Sequence, residues 1–378
     1  MTETLEQLET PALILDEARM TRNIARMQSQ LQRLGVGFRP HVKTCKSVEV
    51  AQRLTPTQRG PITVSTLREA EQFAAAGYTD ILYAVSIAPN KLDHAQRLQA
   101  QGVRLSVVLD SVEAARCVAD HARRGGGSLD VLIEIDCDSH RAGVKPQAPE
   151  LLEIARTLAA AGMPPRGVMT HAGGSYDCRS LPAIQAMAEQ ERVAVVQAAE
   201  RLRAAGLDCP VVSVGSTPTA LFAEQLPGVT EVRAGVYVFF DLVMAGLQVC
   251  AVDDIALSVL SSVIGHQRDK GWALIDAGWM ALSRDRGTAA QAQDQGYGLV
   301  CDIDGRPIDD LVVVAANQEH GIVASRSGRA DALRELPLGT LLRILPNHAC
   351  PTAAQYDHYQ VLQGGREITA RWLRFNGW

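Results

Sequence analysis

Short apolar runs alternate with segments of helical period from residue 17 to residue 245. In segment 19–34, for example, apolar side chains recur every three or four residues, at positions 20, 24, 27, 31 and 34. The apolar runs predict eight strands, at residues 37–42, 62–65, 81–85, 105–109, 131–135, 167–170, 211–214 and 232–238. Eight strands that alternate with helices predict an α/β fold with parallel pairing, namely a (β/α)8 TIM barrel over residues 17–245.

The pattern changes after residue 245. Helical period is scarce there, and strand-like runs occur at residues 255–265, 271–276, 311–316, 340–345 and 359–362. This part of the chain predicts a mostly antiparallel β domain over residues 246–378. The extended segment 12–15 precedes the first helix, so we assign residues 1–16 to the β domain as well.

Composition excludes several classes of function. The chain has 378 residues, a net charge of -5 and 47% apolar residues, which gives no case for nucleic-acid binding. It contains no uninterrupted apolar run of about 18 residues, as a membrane span requires, and its acidic N-terminus does not resemble a secretory signal. Eight scattered cysteines without a CxxC pair predict no disulfide framework, and therefore a reducing, cytoplasmic location.

A lysine follows the first predicted strand, in the run Pro40-His41-Val42-Lys43-Thr44. Functional residues of such barrels lie at the C-terminal ends of the strands. A lysine amine that is desolvated there loses its proton readily and can form a Schiff base with an aldehyde. Lys43 by itself is equally consistent with a surface lysine, so the interpretation depends on the other strand ends.

The ends of the seventh and eighth strands predict an anion site. Gly215, Ser216 and Thr217 precede Pro218, which suits the first turn of a helix, and the free N–H groups there favour a phosphate. Gly235 and Tyr237 follow the eighth strand and could add an N–H group or a hydroxyl. An ordinary capped helix start would also explain the first of these motifs.

The fifth and sixth strand ends add groups that suit a flat anionic ring. Arg141 could hold a phenolate or carboxylate oxygen, since guanidinium is planar and always charged. His171 could stack on the ring, and Tyr176 could bond to a ring nitrogen. Read singly, Arg141 is also consistent with a solvated loop residue, and His171 with a hydrogen-bonded histidine.

His348 and Cys350 in the β domain predict a metal site. Imidazole and thiolate, two residues apart in an extended segment or turn, suit zinc and also cobalt, nickel or manganese. Two protein ligands leave positions open for water or substrate. Alternatively, the pair consists of two buried side chains. Glu319, His320 and Asp285 are further polar residues after apolar strands that could face the same cleft.

Taken together, these motifs resemble the alanine-racemase-like, fold-type III pyridoxal-phosphate enzymes, in the branch of the D-serine dehydratases and D-threonine aldolases. The resemblance covers essentially the whole chain. The segments 64–73, 212–221 and 239–241 are similar to the bacterial D-threo-3-hydroxyaspartate dehydratases in particular. The motifs that carry the resemblance are the Lys43 run, the His140-Arg141 loop, His171, the Gly215 loop, Glu319-His320-Gly321 and His348-Ala349-Cys350.

The resemblance implies a role for each candidate residue. Lys43 would carry pyridoxal 5'-phosphate, with Arg141 at its phenolic oxygen, His171 against its ring and Tyr176 at its ring nitrogen. The phosphate would bind to Gly215, Ser216, Thr217, Gly235 and Tyr237. His348 and Cys350 would hold a divalent metal. Dehydratases of this family carry His-x-Cys at that place, whereas its D-threonine aldolases typically carry His-x-Asp.

The resemblance therefore implies a carbon–oxygen lyase that acts on a small D-3-hydroxy amino acid. D-threo-3-hydroxyaspartate would give oxaloacetate and ammonia, and D-serine would give pyruvate and ammonia. A metal-dependent D-threonine aldolase is the alternative. A racemase has no use for the metal pair. The β domain and the His-x-Cys pair argue against a non-catalytic cofactor carrier, and the co-occurrence of five site elements argues against a purely structural barrel. The family also implies a homodimer.

Overall fold

A computed structural model describes residues 3–57, 59–333 and 336–378. The chain divides into two compact units. The first, which we call the β unit, comprises Met1–Arg26 and Val236–Asn376. The second, the barrel unit, comprises Met27–Gly235 and Gly377–Trp378.

The barrel unit is built on eight parallel strands. Strand β1 (Ala12–Asp16) and helix α1 (Glu17–Leu34) precede these strands in the sequence. The parallel strands then follow as β2 (Gly37–Phe38), β3 (Ile62–Val64), β4 (Asp80–Ser86), β5 (Arg104–Leu109), β6 (Asp130–Ile135), β7 (Gly167–Thr170), β8 (Val211–Val214) and β9 (Glu231–Val232). Each strand from β3 to β8 pairs with the strand that follows it in the sequence, and β9 also pairs with β2.

The ring of strands closes between β2 and β3. His41 and Thr63 form a parallel bridge. The Val42 N–H donates to the Thr63 carbonyl at 2.9 Å, and the Thr63 N–H donates to the Pro40 carbonyl at 2.9 Å. These bonds confirm the predicted closed (β/α)8 barrel.

Several barrel helices begin at a residue whose side chain caps the helix. The hydroxyls of Thr66, Ser111 and Ser180 each accept a backbone N–H from the first turn of the helix that follows. The helices of this part of the chain are α2 (Val48–Ala51), α3 (Leu67–Ala75), α4 (Leu92–Ala100), α5 (Val112–His121), α6 (Pro149–Ala160), α7 (Leu181–Ala204) and α8 (Thr217–Phe222).

Two predicted strands are shorter than expected. The first was predicted to run to residue 42, but the regular strand ends at Phe38; the chain stays paired beyond it, since the His41 N–H donates to the Ala234 carbonyl at 2.8 Å. The eighth was predicted over 232–238, but Val236–Val238 forms a 3₁₀ turn. An unbroken buried apolar run has no period, so the sequence could not separate strand from turn there.

In the part of the β unit that the structure describes, eight more strands and three short helices are found. The strands are β10 (Leu257–Gln267), β11 (Trp272–Ile275), β12 (Leu299–Cys301), β13 (Pro307–Ala316), β14 (Gly321–Ser325), β15 (Leu341–Leu345), β16 (His358–Leu362) and β17 (Ala370–Leu373). The helices are α9 (Leu242–Gly246), α10 (Trp279–Leu282) and α11 (Ala349–Ala353).

The sheet of the β unit is mostly antiparallel, as predicted. Its order is β11-β14-β13-β12-β15-β10-β1-β16-β17, and β10 also pairs with β11, which closes the first six strands into a ring. Strand β1 pairs antiparallel with β10 and parallel with β16. Leu5, Ile14, Leu260 and Leu362 form a buried cluster beside these strands. Among the described residues, no helix combines the length and the apolarity that a membrane crossing requires.

Candidate active site

Lys43 projects from an ordered turn at the end of β2. Its neighbours Val42 and Thr44 are completely buried, whereas Lys43 itself is exposed. The Lys46 N–H closes the turn by donating to the Val42 carbonyl at 2.8 Å. The local backbone is therefore fixed while the amine remains accessible, as a lysine that reacts with an aldehyde requires.

His171, at the end of β7, is neutral and has a defined tautomer. Its Nδ1 lies 2.8 Å from the Gly215 carbonyl, which can only accept, so Nδ1 carries the proton. Burial lowers the pKa of His171 to about 3, and the positive charges of Lys43, Arg141 and Arg233 contribute to the decrease. Because the charges of Lys43 and Arg141 both act on the His171 imidazole, these three predicted site residues lie near one another in the barrel unit.

The lowered pKa of His171 predicts a loss of stability in acid. Since the unfolded histidine has a pKa of 6.5, the contribution of His171 is complete above that pH and is lost as the pH falls toward 3. Between pH 7 and pH 5 the loss is about 2 kcal/mol. His171→Asn keeps a donor for Gly215 but cannot titrate. Urea unfolding of both apoproteins at the two pH values should show this difference; equal pH dependence would contradict the assignment.

Arg141 lies in a loop that Asp136 holds in shape. Asp136 Oδ1 accepts the N–H groups of Asp138 at 3.1 Å and of Ser139 at 2.6 Å. Arg141 is 60% exposed, and its nearest ionic partner, Glu134 Oε1, is 3.6 Å from Nη2. Burial raises the pKa of Glu134, although Arg141 opposes the shift. The guanidinium is thus only loosely paired and can bind a further oxygen.

Tyr176 lies in the 3₁₀ helix Gly173–Asp177, beside His171. The two ring centroids are 6.3 Å apart and the ring planes are inclined by 47°. Two hydrogen bonds hold this segment to neighbouring loops. The Gly174 N–H donates to Asp138 Oδ2 at 2.8 Å, and the hydroxyls of Ser175 and Ser216 are 2.8 Å apart.

The Gly215–Thr217 loop is buried and tightly constrained. Gly215 has φ +148°, and a Cβ there would lie 1.8 Å from the Arg233 carbonyl oxygen. The Ser216 hydroxyl caps α8 by accepting the Thr219 N–H, while the Ser216 N–H donates to the Thr219 hydroxyl at 3.1 Å. The hydroxyl of Ser216 therefore caps helix α8, as in the ordinary capped helix start that the sequence also allowed for this motif.

Gly235 and Tyr237 follow β9 in different units. A Cβ on Gly235 would lie 2.8 Å from the His41 carbonyl oxygen, so only glycine permits this approach to the Lys43 turn. Tyr237 belongs to the β unit and is completely buried.

The barrel residues fit the cofactor that the family implies. Lys43 offers an amine for an aldehyde, Arg141 a loosely paired cation, and Tyr176 a phenol. His171 offers an uncharged flat ring whose Nδ1 is already bonded, so it can lie against an aromatic ring without adding charge. These groups suit an aromatic aldehyde with anionic substituents, which describes pyridoxal phosphate.

His348 and Cys350 lie at the start of α11 in the β unit. His348 Nδ1 is 2.8 Å from Asp285 Oδ2, which leaves Nε2 for another partner. Burial opposes protonation of His348, but Cys350, Asp285 and Asp241 outweigh it and raise its pKa to about 11. The described residues contain no group of three or more histidine, cysteine or acidic side chains that could hold a metal. The imidazole and thiol of the pair are donors that suit a divalent metal such as zinc.

Two buried polar side chains fix the backbone around this pair. Asp241 caps α9 by accepting the Met244 N–H at 3.0 Å, and its other oxygen accepts the Ala349 N–H at 3.0 Å. Burial raises the pKa of Asp241. The Asn347 amide donates to the Gly296 carbonyl at 2.6 Å. His348 and Cys350 thus flank Ala349, whose backbone is held in place by Asp241 at the start of α9.

Asp285 orients His348 in the way that carboxylates orient metal-bound histidines. We expect Asp285→Ala to weaken binding of Zn²⁺ by about 10- to 100-fold, because the imidazole loses its fixed tautomer and orientation. Asp285→Asn, which keeps an acceptor, should lose less. Asp304→Ala removes a carboxylate from the exposed ion pair with Arg366 and is the control. Titration with a metal indicator measures the affinities; equal values for Asp285→Ala and wild type would refute this role.

Sequence reasoning missed two groups that organise the site. Glu191 is buried in α7, where it accepts backbone N–H groups from two loops. Its signal was its position among the buried residues Ile184, Ala188 and Val195 of the same helix, where a charged residue is unexpected. Asp241 had no comparable signal, since capping by a lone aspartate is common.

Comparison with known protein families agrees with this arrangement. Residues 15–243 match the family model of the alanine racemase N-terminal domain. Residues 256–362 match that of a putative serine dehydratase domain. The chain belongs to the alanine-racemase-like, fold-type III pyridoxal-phosphate family. Within this family it has the dehydratase-type second domain.

Relatives in this family extend over the whole chain. D-threo-3-hydroxyaspartate dehydratase of Delftia sp. is 58% identical over 381 residues, covering 100% of both chains. D-serine dehydratase of Dictyostelium discoideum is 30% identical and covers 96% of both. 3-Hydroxy-D-aspartate aldolase of Paracoccus denitrificans is 30% identical, covering 96% of this chain and 91% of its own.

Solved structures of the Delftia enzyme share the fold. The enzyme itself superposes with a TM-score of 0.96 over 100% of both chains. A His→Ala variant of that enzyme superposes with a TM-score of 0.97, over 100% of this chain and 98% of its own. A Cys→Ala variant in the metal-free form gives 0.96 over 100% of both chains. The histidine and cysteine replaced in these two variants are two residues apart, as are His348 and Cys350.

Proposed function

We propose that this protein is a pyridoxal-phosphate- and divalent-metal-dependent dehydratase of D-3-hydroxy amino acids. It would convert D-threo-3-hydroxyaspartate to oxaloacetate and ammonia, and D-serine to pyruvate and ammonia. The observation that carries the proposal is the 58% identity with a D-threo-3-hydroxyaspartate dehydratase over the full length of both chains. The His-x-Cys pair at 348–350 supports dehydration over aldol cleavage.

In this proposal the barrel residues hold the cofactor. Lys43 would carry it, Arg141 would bind the phenolic oxygen, His171 would lie against the ring and Tyr176 would bond to the ring nitrogen. The phosphate would bind to the segment of Gly215, Ser216 and Thr217, together with Gly235 and Tyr237. When bound, pyridoxal phosphate supplies an electron sink for the charge left on the substrate's α-carbon.

Lys43 has a second role as the base. Its amine would serve as the group that removes the α-proton of a D-configured substrate. His171 adds no positive charge to the site, because its pKa lies far below neutrality. The Tyr176 phenol, unlike a carboxylate, does not favour a protonated ring nitrogen. These groups therefore suit elimination of the β-hydroxyl together with, or directly after, proton removal.

His348 Nε2 and the Cys350 sulfur would hold the metal, with Asp285 bonded to the opposite imidazole nitrogen. The metal supplies a Lewis acid that makes the β-hydroxyl a better leaving group. Zinc suits this donor pair, with manganese, cobalt and nickel as alternatives.

Ammonia release tests the proposal. The purified protein, supplied with pyridoxal phosphate and Zn²⁺ or Mn²⁺, should release ammonia from D-threo-3-hydroxyaspartate and from D-serine. L-Serine is the control, because Lys43 would be on the wrong face for its α-proton. Absence of ammonia from both D-substrates would refute the proposed function.

The cytoplasmic location and the homodimer remain predictions from the sequence and the family. Light scattering on the purified holoenzyme would test the second, and a monomer at micromolar concentration would contradict it.

A further inference from the structure

A buried carboxylate joins two loops at the end of the barrel. Glu191 of α7 is 2% exposed. Its Oε1 accepts the Ala172 N–H at 3.0 Å and the Gly215 N–H at 2.9 Å. The Thr219 side chain also bonds to the carboxyl group. Ala172 follows His171 after β7, and Gly215 follows β8, so one oxygen ties together two loops that carry predicted cofactor residues.

These bonds form a closed ring that includes the His171 side chain. The His171 imidazole donates from Nδ1 to the Gly215 carbonyl at 2.8 Å. Glu191 holds the N–H of Gly215 and also the N–H of the residue next to His171. The direction of the imidazole therefore depends on where Gly215 lies, and Glu191 sets that position.

Packing alone does not explain an acidic residue at this place. A buried carboxylate carries a large desolvation penalty, which hydrogen bonds and a nearby cation only offset. The cation is Arg233, itself buried, whose guanidinium donates to the Ser213 hydroxyl at 2.8 Å and to the Thr170 carbonyl. Ala188 and Val195, on the same face of α7, are buried and apolar, so an apolar residue would suit this stripe.

We propose that Glu191 is a positioning residue for the cofactor: it fixes the His171 ring and the Gly215 loop as one unit. It touches neither substrate nor cofactor and acts through His171 and Gly215. The inference rests on the proposed function, since it assumes that pyridoxal phosphate binds at this end of the barrel.

Variants of Glu191 should change cofactor affinity according to which bonds they keep. Glu191→Ala removes both acceptors, and Glu191→Asp is too short to reach both N–H groups. We expect both to raise the dissociation constant of the apoprotein for pyridoxal phosphate by about tenfold or more, because two buried donors lose their partner. Glu191→Gln keeps a carbonyl oxygen and should stay within about threefold of wild type. Glu189→Ala, two residues earlier in α7 and in an exposed ion pair with Arg192, should have no effect.

Titration of each apoprotein with pyridoxal phosphate, followed by visible absorption, measures these constants. Melting of the same apoproteins separates positioning from folding. A purely structural Glu191 would lower the apoprotein Tm in the alanine and aspartate variants yet leave the dissociation constant and the absorption band unchanged, and that result would overturn the inference. If Glu191→Ala does not fold, comparison of the dissociation constants of the aspartate and glutamine variants tests the inference. If wild type itself binds no pyridoxal phosphate, the result contradicts the proposed function and not the role of Glu191 alone.

Discussion

Replacing Lys43 with alanine should abolish turnover, lowering kcat for D-threo-3-hydroxyaspartate by about 10⁴-fold or more. The substitution removes both the amine that carries the cofactor and the base for the α-proton. The turn that holds Lys43 should persist, because it depends on the buried neighbours Val42 and Thr44 and on the bond between Lys46 and Val42. The loss should therefore be chemical, with little change in Tm.

A chemical readout makes this prediction specific to Lys43. Borohydride reduction of wild-type holoenzyme, followed by peptide mass spectrometry, should find the cofactor attached to the peptide that contains Lys43. Lys43→Ala should show no attachment. Lys91→Ala is the matched control, since Lys91 lies elsewhere in the barrel unit and bonds to Tyr83. Full activity in Lys43→Ala, or attachment at another lysine, would refute the assignment.

Loss of the metal should have the second largest effect. We expect chelation, or Cys350→Ala, to lower kcat by about 100- to 1000-fold, because the β-hydroxyl then leaves without Lewis-acid assistance. Lys43 and the barrel groups do not depend on the metal, so the bound cofactor and its visible absorption should remain. Adding Zn²⁺ or Mn²⁺ should restore the chelated wild type but not Cys350→Ala.

The control for this experiment is another partly exposed thiol. Cys117 lies in α5 of the barrel unit and is a free, partly buried cysteine. Cys117→Ala should bind metal and turn over like wild type. A chelated enzyme that keeps its full rate would exclude the metal from the reaction, whereas chelation that also releases the cofactor would show that the two sites are not independent.

The fold was largely predictable because its elements have clear periods. Alternating apolar runs and helical segments identified the barrel strands, and capping residues such as Thr66 and Ser111 mark helix starts in the sequence. The prediction was wrong at residues 236–238, where every side chain is buried and the period disappears. The predicted strand was also too long after Phe38, where the chain leaves the regular strand but keeps its backbone hydrogen bonds to the neighbouring strands.

The sequence yields candidate site residues where a short motif carries its own chemistry, as in the Lys43 run and the His348–Cys350 pair, and the roles of these residues stay predictions. Asp241 was not predictable, and the sequence marked Glu191 only as an acidic residue on an apolar helix face, because each acts through backbone groups that are distant in sequence. The Ser216 hydroxyl illustrates the same limit. Its sequence context suits either a phosphate or a helix cap, and the bond from the Thr219 N–H exists only once α8 has formed.

The product formed from D-threo-3-hydroxyaspartate tests the central claim most directly, because dehydration and aldol cleavage of this one substrate give different compounds. NMR of the reaction with the metal-loaded holoenzyme should show oxaloacetate and ammonia in equal amounts. Glycine and glyoxylate instead would show aldol cleavage, as the name of the Paracoccus relative states for that enzyme, and would contradict the dehydratase proposed here.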